Sequence, residues 1–268
     1  MQLSVPRIAA SSYSNTAPLV WSFLYGSLRG SAELIMDTAP ARSAELLASG
    51  RVDAALVPVF SYQTIPDVKL VSDVCVGAKE RVRSVCLVTK GMELADAKSV
   101  ALDVSSRTSA ALTKIIFREF IGREPKWRDA APNIDEMLST ADCALVIGDP
   151  ALRIPDSPSD AVPYRKFDLA EVWRANTGLG FVFAMWMTRL DKCPLDFAAA
   201  RDEGVAHIDE IAANYTDEIG LDTADLTDYL GRSISYSVSD EMFAGLELYF
   251  KLGERHGLFR EQKELLFL

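Results

Sequence analysis

Histidine is nearly missing from this chain of 268 residues: His207 and His256 are its only two. Both fall in helical-looking segments of the C-terminal part, far in sequence from the polar turns described below. The commonest acid–base side chain of enzymes is therefore an unpromising proton shuttle here. Basic residues are also in deficit, with 28 Lys and Arg against 38 Asp and Glu, for a net charge of −10. Nucleic acids and anionic membrane surfaces both call for Lys and Arg, so neither is an expected partner. Apolar runs are short. The longest, Phe181 to Met187, is far from the roughly 18 residues that span a bilayer.

The first ten residues carry Pro6 and Arg7 rather than a basic segment followed by a long apolar one. No secretory signal is expected, and the expected location is the cytoplasm. The four cysteines, Cys75, Cys86, Cys143 and Cys193, form no CxxC pair. Three sit in apolar, strand-like surroundings, which reads as buried thiols in a reducing compartment, with a disulfide or metal site as the other reading. No GxSxG elbow, HExxH, Walker loop or GxGxxG stands before a helix, and Gly178-Leu179-Gly180 lacks a third glycine and leads into a strand. Neither a cofactor nor a metal is implied.

What is present is a hydrophobic content of 49%, ample for a packed core in one large domain or two lobes. Val5 to Ala10, Ala32 to Asp37 and Ala54 to Val59 read as strands. Thr16 to Tyr25 and Pro40 to Ser49 read as the helices between them, the second punctuated by Thr38 and Gly50. This is βαβ patterning and predicts a mostly parallel sheet covered by helices. A second block has strands at Ser84 to Thr89, Ser99 to Leu102 and Cys143 to Gly148, and a helix at Arg107 to Phe120. Ala111, Leu112, Ile115, Ile116 and Phe120 share one face of that helix. Leu179 to Met187 reads as a fully buried strand, followed by helices at Pro194 to Asn214, Thr223 to Leu230 and Asp240 to Arg255, the last with Ser237 and Asp240 as a capping box. Ile154 to Pro163 is the expected surface loop. The expected architecture is α/β with two lobes, residues 1–86 with 183–268 forming one and 87–182 the other. The chain would cross near Ser84 to Val88 and near Phe181 to Met185.

In open α/β sheets ligands collect where strands end and helices begin. Two such turns are rich in donors: Ser11-Ser12-Tyr13-Ser14-Asn15-Thr16 and Ser105-Ser106-Arg107-Thr108-Ser109. Unpaired N–H groups and the helix dipole make each a carboxylate or phosphate site; the same residues also serve as ordinary N-caps. Arg107 opposes the dipole of the helix it opens, which an anionic partner would explain if its side chain points inward, whereas a helix-start Arg commonly faces solvent. Gly148-Asp149 ends a buried strand, and Asp149 is either a pocket carboxylate or a helix cap. The site so outlined is a hydrogen-bonding cleft for a small anion.

The run Ser12-Tyr13-Ser14-Asn15-Thr16-Ala17-Pro18-Leu19 resembles the S-Y-x-N-T-x-P-L opening of the chorismate dehydratases of the futalosine route to menaquinone. The resemblance continues through Gly50-Arg51-Val52-Asp53, Val57-Pro58, Val82-Arg83-Ser84-Val85, Leu102 to Ser109, Ile147-Gly148-Asp149 and Thr177-Gly178-Leu179. It reaches the tail at Tyr229-Leu230 and Ile234-Ser235-Tyr236. It implies a two-lobed type II periplasmic-binding-protein-like fold with the ligand in the cleft. It also implies a hydro-lyase that removes water from chorismate to give 3-[(1-carboxyvinyl)oxy]benzoate. The functional pair of the family falls on Asn15 and Ser84, with Ser12, Tyr13, Ser105, Ser106, Arg107, Thr108, Ser109, Gly148 and Asp149 as expected substrate contacts. Ser14 departs from the family, where a larger apolar residue such as Leu is expected.

The reaction must take the C3 proton and expel the C4 hydroxyl, and neither an amide nor a serine is a base near neutral pH. Asn15 and Ser84 are therefore expected to orient the substrate and stabilise developing charge, while its enolpyruvyl carboxylate takes the proton. Two other readings share the fold. One is a non-catalytic carboxylate-binding protein; the other is 1,4-dihydroxy-6-naphthoate synthase, which relies on a histidine near the cleft. Because the substrate is a dianion and the chain is acidic, attraction has to come from local donors, in a cleft less negative than its surroundings.

Overall fold

The computed structural model describes residues 5–156 and 164–268. Two five-stranded sheets, each flanked by helices, make up the molecule. The first starts with β1 (Arg7–Ser11), β2 (Glu33–Asp37), β3 (Ala54–Pro58) and β4 (Lys69–Ala78). The second holds β5 (Val85–Thr89), β6 (Ser99–Asp103), β7 (Lys126–Ala130), β8 (Cys143–Ile147) and β9 (Arg165–Asp168). The chain then returns as β10 (Phe181–Thr188), antiparallel to both neighbours, to complete the order β2-β1-β3-β10-β4. The second sheet runs β7-β6-β8-β5-β9. It takes in Val85 and Cys86, and the first sheet takes in Phe181 and Val182, so the chain crosses over residues 79–84 and 178–180.

Helices follow the strands as βαβ patterning requires. α1 (Ala17–Leu24) and α2 (Pro40–Ala48) join the parallel strands of the first sheet; α3 (Arg107–Ile115), extended by a wide turn over Ile116–Ile121, and α4 (Ile134–Thr140) serve the second. α5 (Asp149–Leu152) is a single turn after β8, and α6 (Leu169–Thr177) precedes the return crossing. α7 (Phe197–Val205), α8 (Ile208–Ile219), α9 (Thr223–Asp228) and α10 (Asp240–Arg255) pack afterwards. β3, β5 and β8 are buried along their whole length, the pattern of strands covered on both faces.

Several expectations are corrected. The segment from Pro194 to Asn214 is not one helix but two, α7 and α8, broken at His207, whose Nδ1 lies 2.8 Å from Glu203 O and whose ring stacks on Trp21 at 3.8 Å. Ser239, not Ser237, caps α10, its Oγ accepting from Met242 N at 3.3 Å. Ser84 stands just outside β5, because Arg83 has φ 61° and turns the chain before the ladder begins. β4, β7, β9, α4 and α6 were unmarked in the sequence. Of the expected surface loop, residues 157–163 lie outside the described residues.

Candidate active site

The first polar turn forms because β1 ends at Ser11 and the chain tightens into a 3-10 turn at Ser14–Thr16, with Pro18 early in the helix that follows. The second forms because Ser106, with extended backbone, caps α3 and accepts from Ser109 N at 3.3 Å. The two turns face each other across a cleft of about 530 Å3, counting its open mouth. Tyr13, Asn15, Ser106, Thr108, Ser109 and Gly148 line it, with Ser11, Thr16, Pro40, Pro58, Phe183 and apolar residues of β3, β4, β5 and β8 completing the wall. Every lining side chain is uncharged at neutral pH. Among the described residues Tyr13 is the only titratable one there, and its phenol is pushed above the usual range by burial and by the charges of Asp103 and Asp149, against the Ser105 hydroxyl beside it.

Asn15 is 9% exposed and borders the cleft; its Oδ1 accepts from Thr16 Oγ1 at 3.4 Å, and Thr16 Oγ1 lies 2.9 Å from Ser11 Oγ. Ser84 is fully buried behind Val85, with its N–H on Val82 O at 2.7 Å and its carbonyl accepting from Gly148 N at 2.7 Å. One side chain joins the two. Tyr229, buried at the start of a wide turn after α9, sits beside the side chains of both Ser84 and Asn15. Burial pushes its phenol far up and the nearby Ser84 and Asn15 side chains oppose the shift, though neither stands at ordinary hydrogen-bond geometry to its hydroxyl, which has no such partner among the described residues. The Arg83 guanidinium lies 5.7 Å over the Tyr229 ring and pairs with Asp225 at 2.8 Å.

The turn that carries Ser84 is held by Asp168, which is 3% exposed. Its carboxylate accepts from Val82 N at 3.1 Å and Arg83 N at 2.6 Å, and caps α6 through Ala170 N at 2.9 Å and Glu171 N at 3.2 Å. Burial raises its pKa and these N–H groups oppose the rise. A buried carboxylate more than eighty residues downstream thereby fixes a non-glycine residue in the left-handed region next to the serine.

Four expected substrate contacts lie outside the lining. Ser105 directs both its N–H, at 2.8 Å, and its hydroxyl, at 2.6 Å, to Asp103 Oδ1. Arg107 is absent from the lining and its guanidinium faces Glu45 of α2 at 3.8 Å. Ser12 presents its carbonyl to Tyr215 Oη at 3.4 Å. Asp149 caps no N–H of its own short helix. It reaches the first polar turn, where its carboxylate accepts from Ser14 N at 3.1 and 3.2 Å and from Ser14 Oγ at 2.5 Å. The first helix start thus already has an anion, supplied by the protein, whereas the start of α3 borders the cleft through Ser106, Thr108 and Ser109 with no carboxylate among the described lining residues. Its Thr108 also ties the sheets together, since Oγ1 accepts from Phe60 N at 3.2 Å and its carbonyl from Tyr249 Oη at 3.1 Å. Of the site residues, Tyr229 and Asp168 were not named from the sequence: a lone Tyr at a helix end and an Asp before a helix look like core and cap. His256 sits on Glu119 at 2.8 Å, and neither histidine lines the cleft.

Comparison with known proteins agrees with this geometry. A family model described as menaquinone biosynthesis matches residues 6–255. A chorismate dehydratase of Thermus thermophilus is 32% identical over 247 residues, covering 85% of this chain and 86% of the relative. Among solved structures, a protein of Archaeoglobus fulgidus superposes with TM-score 0.73 at 14% identity, over 95% of this chain and 98% of that one. The periplasmic aliphatic sulphonate binding protein of Escherichia coli gives 0.62 at 16%, over 97% and 93%. A Candida albicans gene product with the generic periplasmic binding protein fold gives 0.67 at 13%, over 97% and 92%. The fold is that of the periplasmic binding proteins, and the chain belongs to the menaquinone-biosynthesis family.

Proposed function

We propose that this chain is a chorismate dehydratase, a hydro-lyase that converts chorismate to 3-[(1-carboxyvinyl)oxy]benzoate and water on the futalosine route to menaquinone, acting in the cytoplasm without a cofactor. Two lobes, one built on each sheet, hold the substrate, their boundaries falling at the crossings over residues 79–84 and 178–180 and not at 86/87 and 182/183. The 32% identical relative bearing that name supports the reading, and the carrying observation is the chemistry of the cleft wall. A dianionic substrate meets no formal negative charge there among the described residues, and borders instead the start of α3 with Ser106, Thr108 and Ser109, and Asn15.

The same wall carries no amine, imidazole or carboxylate among its described residues to remove the C3 proton. The enolpyruvyl carboxylate, tethered next to that carbon, takes it. The C3–H electron pair moves into the ring, the C4–O bond breaks, and the departing hydroxide leaves as water with a proton returned from the enolpyruvyl carboxylic acid. Aromatisation makes the loss favourable. Asn15 orients the ring and stabilises the charge that builds as the proton leaves, while Ser84, buried outside the lining, supports that position through the Tyr229 side chain beside both. No described membrane-crossing helix exists, and the acidic composition makes nucleic acid an unsuited partner.

Incubating the purified chain with chorismate tests this: an aromatic product that keeps the enolpyruvyl ether supports the dehydratase. Chorismate bound but recovered unchanged supports instead a carboxylate-binding protein, the reading that the sulphonate-binding neighbour favours.

A further inference from the structure

Ser14, one residue before Asn15, is the residue on which Asp149 closes. Three contacts run from the corner after β8 to the rest of the site. Asp149 takes Ser14 N and Ser14 Oγ, Gly148 N donates to Ser84 O at 2.7 Å, and Gly148 stands so close to the Tyr13 ring that a Cβ on it would come within 2.7 Å. One dipeptide of the second sheet's domain therefore grips the residue before Asn15, the residue two before it, and Ser84 itself. Asp149 is 7% exposed and absent from the cleft lining, so it does not meet a ligand directly.

We propose that Asp149 is a positioning residue, an interlobe latch whose engagement with the Ser14 N–H and hydroxyl brings Asn15 and Ser84 into register. An apolar side chain at position 14 would leave Asp149 only the backbone N–H. A buried carboxylate with one donor group fewer is a weaker latch, because each bond to the charged form helps offset its desolvation. The charged and titratable groups around Asp149 are Glu218 of α8, Arg153 just after α5, and the phenols of Tyr13, Tyr215 and Tyr229. Burial raises the Asp149 pKa and the Ser14 bonds hold it down. The latch is thus strongest when Asp149 is ionised and weakens as pH falls through its folded-state pKa.

The inference rests on the dehydratase reading for its kinetic test. Turnover of chorismate is measured against pH for the wild type, Ser14→Ala and Asp149→Asn, with melting temperatures alongside. Ser14→Ala is expected to lower kcat/KM at neutral pH about three- to tenfold and to move the acid limb of the profile to higher pH, a shift that a merely structural serine would not cause. Asp149→Asn is expected to lower kcat/KM by more than about thirtyfold. Both variants within twofold of wild type, with an unmoved acid limb, overturn the latch. Where the wild type itself turns over no chorismate, the dehydratase reading fails, and the latch is read separately on ligand-free protein by small-angle scattering. A larger radius of gyration for Asp149→Asn than for wild type supports it; equal radii overturn it.

Discussion

Gly148 lies against the ring of Tyr13 so closely that a methyl group on it would come within 2.7 Å of Cε2 and Cζ. Gly148 also has φ 67°, a conformation that costs side-chain-bearing residues roughly 1 kcal/mol or more. Gly148→Ala therefore strains the backbone and drives the ring out of its place in the cleft wall. The expected outcome is a loss of about 1–2 kcal/mol of stability in a urea titration and a fall in kcat/KM greater than tenfold.

Asp168 sets the turn before Ser84 through four backbone N–H groups. Asp168→Ala leaves those donors without their acceptor and releases Arg83 from its left-handed conformation, for an expected cost on the order of 3 kcal/mol. Asp168→Asn keeps one oxygen and loses less. Thermal denaturation of the pair should rank wild type, Asn, then Ala, and turnover should follow the same order because Ser84 moves with the turn.

Removing the Tyr229 hydroxyl should separate stability from activity. The group is buried without a hydrogen-bond partner among the described residues, so Tyr229→Phe is expected to leave stability unchanged or raise it by up to about 1 kcal/mol. Its neighbours are Ser84 and Asn15, so kcat/KM should fall about three- to tenfold. A variant that loses stability and keeps full turnover would place the hydroxyl in the scaffold and not in the site.

Asp149 makes stability and turnover respond to pH in opposite senses. Its pKa is raised by burial above that of an unfolded chain, so its contribution to stability is fully present below the unfolded value, near 4, and is lost as pH rises through the folded value. Asp149→Asn does not titrate. The unfolding free energy of wild type relative to that variant should therefore decline as pH rises from about 4 toward neutrality, while wild-type kcat/KM rises over the same interval as the ionised latch forms. Denaturant titrations at several pH values check the first trend and initial rates the second.

Local pattern carried the strands β1, β2, β3, β6 and β8, the helix α2 and the start of α3 into view, because each alternates or recurs within ten residues and is punctuated by Pro, Gly or Ser. β4 escaped notice since Asp73, with φ 54°, interrupts its alternation. The polar turns were legible as donor clusters, and Asn15, Tyr13, Ser106, Thr108, Ser109 and Gly148 do border the cleft. What local reading could not supply was who answers whom across the chain. Asp149 meets Ser14 over 135 positions, and Asp168 meets Arg83 over 85. Met alone, Asp149 reads equally as a pocket carboxylate or a helix cap, and Asp168 as a cap. Ser105 and Arg107 were read as cleft donors from their neighbours in sequence, but Asp103 and Glu45 engage them instead.

The central claim is that this cleft dehydrates chorismate with Asn15 in contact with the reacting ligand. Proton NMR of chorismate with wild type and with Asn15→Asp, at equal concentration, tests it in one experiment. The account predicts that with wild type the C3 and C4 proton signals disappear as aromatic signals of a meta-substituted benzoate grow, the two enolpyruvyl methylene protons persisting throughout. It predicts at least a hundredfold slower conversion with Asn15→Asp, where a carboxylate replaces the amide beside an anion. Chorismate left intact by the wild type, or converted equally fast by both proteins, would contradict it.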